Sequence, residues 1–186
     1  MKKHWALLVG AAAILMLSGC GNESTTEPEH TASNSQQHTA SDMNHSASNE
    51  VPDGLKTADN PTFKVGSQAI IKADHMPGMD GATATITGAY TTTAYTVSYT
   101  PTTGGEKVTD HKWVIQEEIQ DAGSDPYSPG TEVTLTADHM KGMKGTKATI
   151  DTATPTTVYM VDYTPTTGGE PVKNHKWVTE SELAAT

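Results

Sequence analysis

The sequence predicts an all-β protein, with two small SH3-like barrels in tandem behind an N-terminal segment that joins neither. Three observations lead there. Residues 63–119 align with 127–183 at a constant offset of 64 without a gap, and 30 of those 57 positions are identical. Short runs rich in Val, Ile, Thr and Tyr recur in both copies, and these residue types fit a pleated, half-buried surface. No apolar period of 3.6 residues lasts long enough for a helical domain.

The N-terminus reads as an export signal. Lys2 and Lys3 supply the positive start, and residues 5–17 form an apolar run. That run falls short of the roughly 20 residues a membrane-spanning helix needs. It ends in Leu17-Ser18-Gly19-Cys20, which resembles the lipobox of bacterial lipoproteins. The resemblance implies removal of residues 1–19, acylation (palmitate) of Cys20, and a lipid anchor on the extracytoplasmic face of the cell membrane. Cys20 is the only cysteine, so the chain has no internal disulfide.

Residues 20–59 are expected to be a disordered tether. They are rich in Ser, Thr, Asn, Gln and Glu, and bury too little apolar surface to offset their ordering entropy. They also carry His30, His38, Met43 and His45, four soft or borderline metal donors. The repeats follow at 60–120 and 124–186. Each has the length of one small β domain with a marginal core. Strands are expected at 67–73, 82–87 and 94–100, and again at 132–137, 147–151 and 158–164. Thr-Pro-Thr-Thr-Gly-Gly-Glu at 100–106 and 164–170 is a turn, with Pro fixing φ and Gly allowing φ > 0. A last strand through His-Lys-Trp-Val then leads into one turn of helix or 3-10 helix at 116–119 and 180–183.

Charge excludes some partners. Without residues 1–19 the chain keeps 10 of its 12 Lys and all 22 Asp and Glu, a net of 10 − 22 = −12, and it has no arginine. Phosphate recognition depends on basic side chains, so nucleic acid is not an expected partner. An acidic surface is suited to collecting cations. Gly-x-Ser-x-Gly, phosphate-loop and His-Glu-x-x-His motifs are absent, and no Cys–His pair is available in the repeats, so the chain is not expected to be an enzyme.

The residues that carry chemistry are duplicated. Asp-His-Met-x-Gly-Met occurs at 74–79 and 138–143, giving His75, Met76 and Met79 beside His139, Met140 and Met143. Thioether sulfur is a neutral soft ligand that favours Cu(I), with imidazole as companion. Methionine also fills irregular gaps in small cores, and one methionine of each loop can face inward while the other ligates. His111-Lys112-Trp113-Val114 recurs as His175-Lys176-Trp177-Val178. His111 and His175 would complete a metal site if the last strand lies beside the loop. Trp113 and Trp177 are core anchors, or faces for cation–π contact with a bound ion. Tyr95 and Tyr99 alternate with Val97, as Tyr159 and Tyr163 do with Val161, so each pair of tyrosines is expected on one face.

Asp-His-Met-x-Gly-Met-x-Gly, Tyr-Thr-Pro-Thr-Thr-Gly-Gly-Glu and His-Lys-Trp-Val together resemble the domain of the YdhK family of bacterial lipoproteins. The resemblance covers both repeats. Some lipoproteins that look like this family belong to copper-resistance systems. This implies binding of copper, as Cu(I), at the cell surface, and hand-over to a copper exporter or other envelope protein. Repeat two has Lys141 and Lys144 where repeat one has Pro77 and Asp80, which disfavours a cation at the second loop. The competing reading is a tandem β module that binds cell-wall polymer or an envelope protein without metal.

Overall fold

The computed structural model describes residue 47 and residues 49–186. Cys20 and the tether donors His30, His38, Met43 and His45 lie outside the described residues. The strands are β1 (Lys56–Thr57), β2 (Gln68–Ile71), β3 (Thr83–Tyr99), β4 (Val108–Ile115), β5 (Glu132–Thr134), β6 (Lys147–Tyr163), β7 (Val172–Thr179) and β8 (Leu183–Ala184). Two 3-10 turns, Gln116–Glu118 and Glu180–Glu182, follow β4 and β7. The all-β class and the tandem repeat are as the sequence predicts. The strand path β5-β6-β3-β2-β8 is open, not closed into a ring.

The segments 82–87 and 94–100 are not separate strands. They are the two ends of β3, a single strand of 17 residues, and β6 has the same length. At about 3.4 Å per residue each spans on the order of 58 Å, more than one small unit can use. Of the residues between, Gly88-Ala89-Tyr90-Thr91-Thr92-Thr93, the tyrosine and the three threonines are β-favouring. They continue the ladder because a partner strand lies alongside.

That partner is the other repeat's long strand. β3 and β6 pair antiparallel along their length, and Thr92 pairs with Thr156. Since 92 + 64 = 156, this residue faces its own repeat-equivalent, so a pseudo-two-fold axis passes between them. The two ladder irregularities obey it too. The extra residues in the register are Thr87, between Ile86 and Gly88, and Asp151, between Ile150 and Thr152, and 87 + 64 = 151. Pro155 lies where β6 has only β3 beside it, so its missing N–H can face away from the ladder.

The packing units therefore cut across the sequence repeats at 60–120 and 124–186. One core joins Ala69, Ile71, Met79 and Ile86 of repeat one to Tyr159, Val161, Val178 and Leu183 of repeat two. Another joins Tyr95, Val97, Val114 and Ile119 of repeat one to Val133, Leu135, Met143 and Ile150 of repeat two. A small cluster of Ala94, Ile115, Val158, Met160 and Trp177 lies near the axis, with Val51, Leu55, Tyr90 and Trp113 packed on it.

Candidate functional site

The DHMxGM loop takes its shape from the opposite repeat. Gly78 sits at φ +76, and a Cβ there would stand 2.5 Å from Thr167 Oγ1 and 2.9 Å from Pro165 Cβ. The Gly78 carbonyl accepts from Thr166 N–H at 2.8 Å. The second loop repeats the arrangement. Gly142, at φ +79, would place a Cβ 2.6 Å from Thr103 Oγ1, and its carbonyl accepts from Thr102 N–H at 2.9 Å. Each Thr-Pro-Thr-Thr-Gly-Gly turn is thus the seat for the other repeat's loop.

With the loop seated, its two methionines part company. Met79 and Met143 are fully buried, one in each main core. They pack among aliphatic and aromatic side chains, the inward-facing place that the sequence leaves open for one methionine of each loop. Met76 and Met140 are half-buried and line an open cavity of about 1060 Å³, together with His75, His111, His139 and His175. The two loops and the two final strands are indeed adjacent, and the adjacency crosses between repeats.

Two carboxylates that the sequence marks only as acidic ends of the repeats hold the loop histidines of this cavity, Glu118 in its lining and Glu182 behind it. His75 Nε2 donates to Glu182 Oε1 at 2.7 Å. Glu182 Oε2 accepts from Trp113 Nε1 at 2.7 Å, from Thr179 N–H at 3.0 Å and from Thr179 Oγ1 at 2.9 Å. Burial pushes the Glu182 carboxyl up, but the bond to His75, the His75 charge, the Thr179 amide and the Trp113 indole outweigh it. They hold the group down at about 2. On the other side His139 Nε2 donates to Glu118 Oε1 at 2.7 Å. Glu118 Oε2 accepts from Trp177 Nε1 at 3.1 Å and from Ile115 N–H at 3.2 Å. An indole N–H and a backbone N–H can only donate, so both glutamates serve as acceptors. Each Glu sits at the third position of its 3-10 turn. That position, three residues after Ile115 or Thr179 at the end of β4 or β7, was the signal available in the sequence.

When His75 or His139 gives up its Nδ1 proton, as metal binding requires, Nε2 keeps the proton shared with the glutamate and Nδ1 presents a lone pair. Both Nδ1 atoms are buried without a hydrogen-bond partner, and so is His111 Nε2. The His111 ring lies 6.4 Å from His139 and 5.8 Å from Tyr99. Burial lowers the His111 ring to about 4, with the charges of His139 and His75 acting in the same direction and Glu118 opposing. His111 is therefore neutral near pH 7. These unpaired nitrogens fit a cation better than they fit a dry core, because an unpaired buried polar atom costs roughly 1–3 kcal/mol. Among the described residues no three His, Cys, Asp or Glu side chains form a ready-made metal cage, so an ion here would need thioether donors or few ligands.

Trp177 is fully buried in the small cluster near the axis and Trp113 packs on it, in keeping with the core-anchor reading. Lys112 Nζ stands 5.5 Å from the Trp113 ring centre and Lys176 Nζ 5.9 Å from that of Trp177, so each indole has a protein cation at its face. Both Lys–Trp peptides are cis. Lys144 lines the cavity, while Lys141 does not. Tyr95, Tyr99, Tyr159 and Tyr163 are all buried, as is Val97 between the first pair. Tyr95, Val97 and Tyr99 share one core cluster, as Tyr159, Val161 and Tyr163 do. Each pair of tyrosines lies on one face as expected, with the valine beside it, because residues two apart on a strand point the same way.

Fold and site together define a tandem-repeat β protein whose copies interlock about a pseudo-two-fold axis, with a histidine- and methionine-lined cleft. The chain belongs to the DUF1541 family, a family described as of unknown function, whose model matches residues 65–116 and 129–180. It is 60% identical over 172 residues to the uncharacterized protein YdhK of Bacillus subtilis (strain 168), covering 92% of this chain and 84% of that one. A crystal structure of a DUF1541 family protein, ydhK, from the same species is similar, with a TM-score of 0.76 at 65% identity. The match covers 78% of this chain and 99% of that one. A solution structure of the ydhK C-terminal domain from B. subtilis gives 0.63 at 69% identity, covering 66% and 93%. Among the described residues no helix is long and apolar enough to cross a membrane.

Proposed function

We propose that this is a lipid-anchored, extracytoplasmic copper-binding protein without enzymatic activity. It sequesters Cu(I) at the outer face of the cell membrane or passes it to an exporter or another envelope protein. The observation that carries the reading is the set of three buried, unpaired imidazole nitrogens, on His75, His111 and His139, in a cleft also lined by Met76 and Met140. Neutral imidazole and thioether favour Cu(I) over harder ions. Two of the histidines are backed by carboxylates, the usual outer support of metal-binding imidazole. The lipobox-like Leu17-Ser18-Gly19-Cys20 and the acidic, His- and Met-bearing tether support the location and the cation. The polymer-binding alternative loses its stacking platform, since the four tyrosines are buried.

The test is an anaerobic Cu(I) competition of the chain from residue 21 against a chromophoric chelator. Tight uptake that falls in a His111→Ala, His139→Ala double variant is expected. An uptake that this variant leaves unchanged would remove the cleft as the site.

A further inference from the structure

We infer that the two repeats build a single metal site between them instead of one each, with Glu118 and Glu182 as its positioning residues. The inference rests on the copper reading above. Both carboxylate–imidazole pairs cross between repeats. His75 of repeat one is held by Glu182 of repeat two, and His139 of repeat two by Glu118 of repeat one. A repeat on its own would have a loop histidine with no carboxylate to fix its tautomer. The His111 ring, 6.4 Å from that of His139, is also from the other repeat. A set built on His111 and His139 therefore needs both copies.

The carboxylates fix which nitrogen is free. Each Oε2 is occupied by an indole N–H and a backbone N–H, and each Oε1 faces a histidine Nε2. The proton is held on Nε2 and the lone pair on Nδ1 stays inside the cleft. The side chains enclosing these pairs leave little room for the rings to turn, since His75 is only 7% exposed and His139 13%. Cu(I) accepts few, soft, neutral ligands, so His111 Nε2 and His139 Nδ1 with a thioether from Met76 or Met140 make a sufficient set. His75 Nδ1, also buried and unpaired, is a further imidazole in the lining of the same cleft.

The test uses the chain from residue 21 with His30, His38, Met43 and His45 replaced by Ala, so that remaining uptake belongs to the repeats. Anaerobic Cu(I) titration is read by competition and by ¹⁵N NMR of the histidine rings. One equivalent is expected, shifting His111 and His139 together, and lost in both His111→Ala and His139→Ala. Glu118→Gln is expected to weaken binding about 10- to 100-fold and to redistribute the His139 tautomers in the metal-free protein, a signal that a merely structural glutamate would not give. Two independent equivalents, each abolished only by substitutions in its own repeat, would overturn the shared site while leaving the copper reading intact. So would an unchanged His139 tautomer with unchanged affinity in Glu118→Gln. Absence of any Cu(I) uptake by this chain and by the chain with its tether intact would overturn the copper reading itself.

Discussion

Gly78→Ala tests the interlock directly, and the fold supplies its own control. A methyl at Gly78 would meet Thr167 Oγ1 at 2.5 Å, Pro165 Cβ at 2.9 Å and Thr167 N at 3.1 Å. The threonine hydroxyl can rotate away, but the proline ring and the backbone cannot. Three residues on, Gly81 has the same φ of +76, and a methyl there would meet nothing within 4 Å. Gly81→Ala should therefore show only the backbone term, roughly 1–2 kcal/mol for a left-handed alanine. Gly78→Ala adds an overpacking term of roughly 1–3 kcal/mol, for a total of about 2–5 kcal/mol. Urea unfolding of both variants gives the difference, and Thr167→Ala in the Gly78→Ala background should recover part of it. Equal destabilisation by Gly78→Ala and Gly81→Ala would refute the claim that the loop is seated on the other repeat's turn.

Other expectations follow from the same contacts. Met79→Ala should cost about 2–5 kcal/mol as a core cavity yet leave Cu(I) affinity at saturating folded protein unchanged; a large loss of affinity with little loss of stability would show that Met79 is a ligand after all. Fragments 49–120 and 121–186, each holding half of both cores, should show no cooperative unfolding alone by circular dichroism, and recover it on mixing; a cooperative transition in either fragment alone would contradict the shared cores. Acid should destabilise the metal-free protein in two stages. His111 is lowered from 6.5 to about 4, so the unfolded chain binds its proton first and stability falls as pH drops from 6.5 to 4. Glu182 is lowered from 4.5 to about 2, so its contribution is present above 4.5 and lost as pH falls through 2. In alkali the order reverses for Tyr159, raised from 10.0 to about 12 by burial, and stability should fall between those values. Urea midpoints measured across pH check all three arms, and a flat profile between 6.5 and 4 would remove the His111 assignment.

The sequence disclosed more of this than the fold class alone. The alternating β-rich runs, the Pro-Thr-Thr-Gly-Gly turns and the one-turn helical ends at 116–118 and 180–182 are where local chemistry puts them. So is the inward packing of one methionine in each loop. What stayed hidden is non-local. No propensity tells that 82–87 and 94–100 are one strand, because the residues that join them are held by β6 and not by their neighbours in sequence. The same blindness hid Glu118 and Glu182. An acidic residue near a chain end reads as solvated, and only the crossing of the repeats brings a histidine, an indole and a backbone amide onto it.

The duplication itself has a different meaning once the crossing is seen. Identity between two copies invites the idea that each copy keeps its own complete site. Here many of the matched letters are contacts between copies: Gly78 with Thr167, Gly142 with Thr103, Trp113 with Glu182, Trp177 with Glu118. Each contact has a partner at an offset of 64 on the opposite side of the Thr92–Thr156 axis. A substitution in one copy therefore alters a surface that the other copy must match, and both copies of a contact are held to the same shape. Positions free of that demand, such as Pro77 against Lys141 and Asp80 against Lys144, are exposed on their loops and have drifted. The repeated motif is thus first a record of how the halves lock. His75 and His139 are repeated with it because the same lock sets their rings, through Glu182 and Glu118, in a cleft lined by both copies.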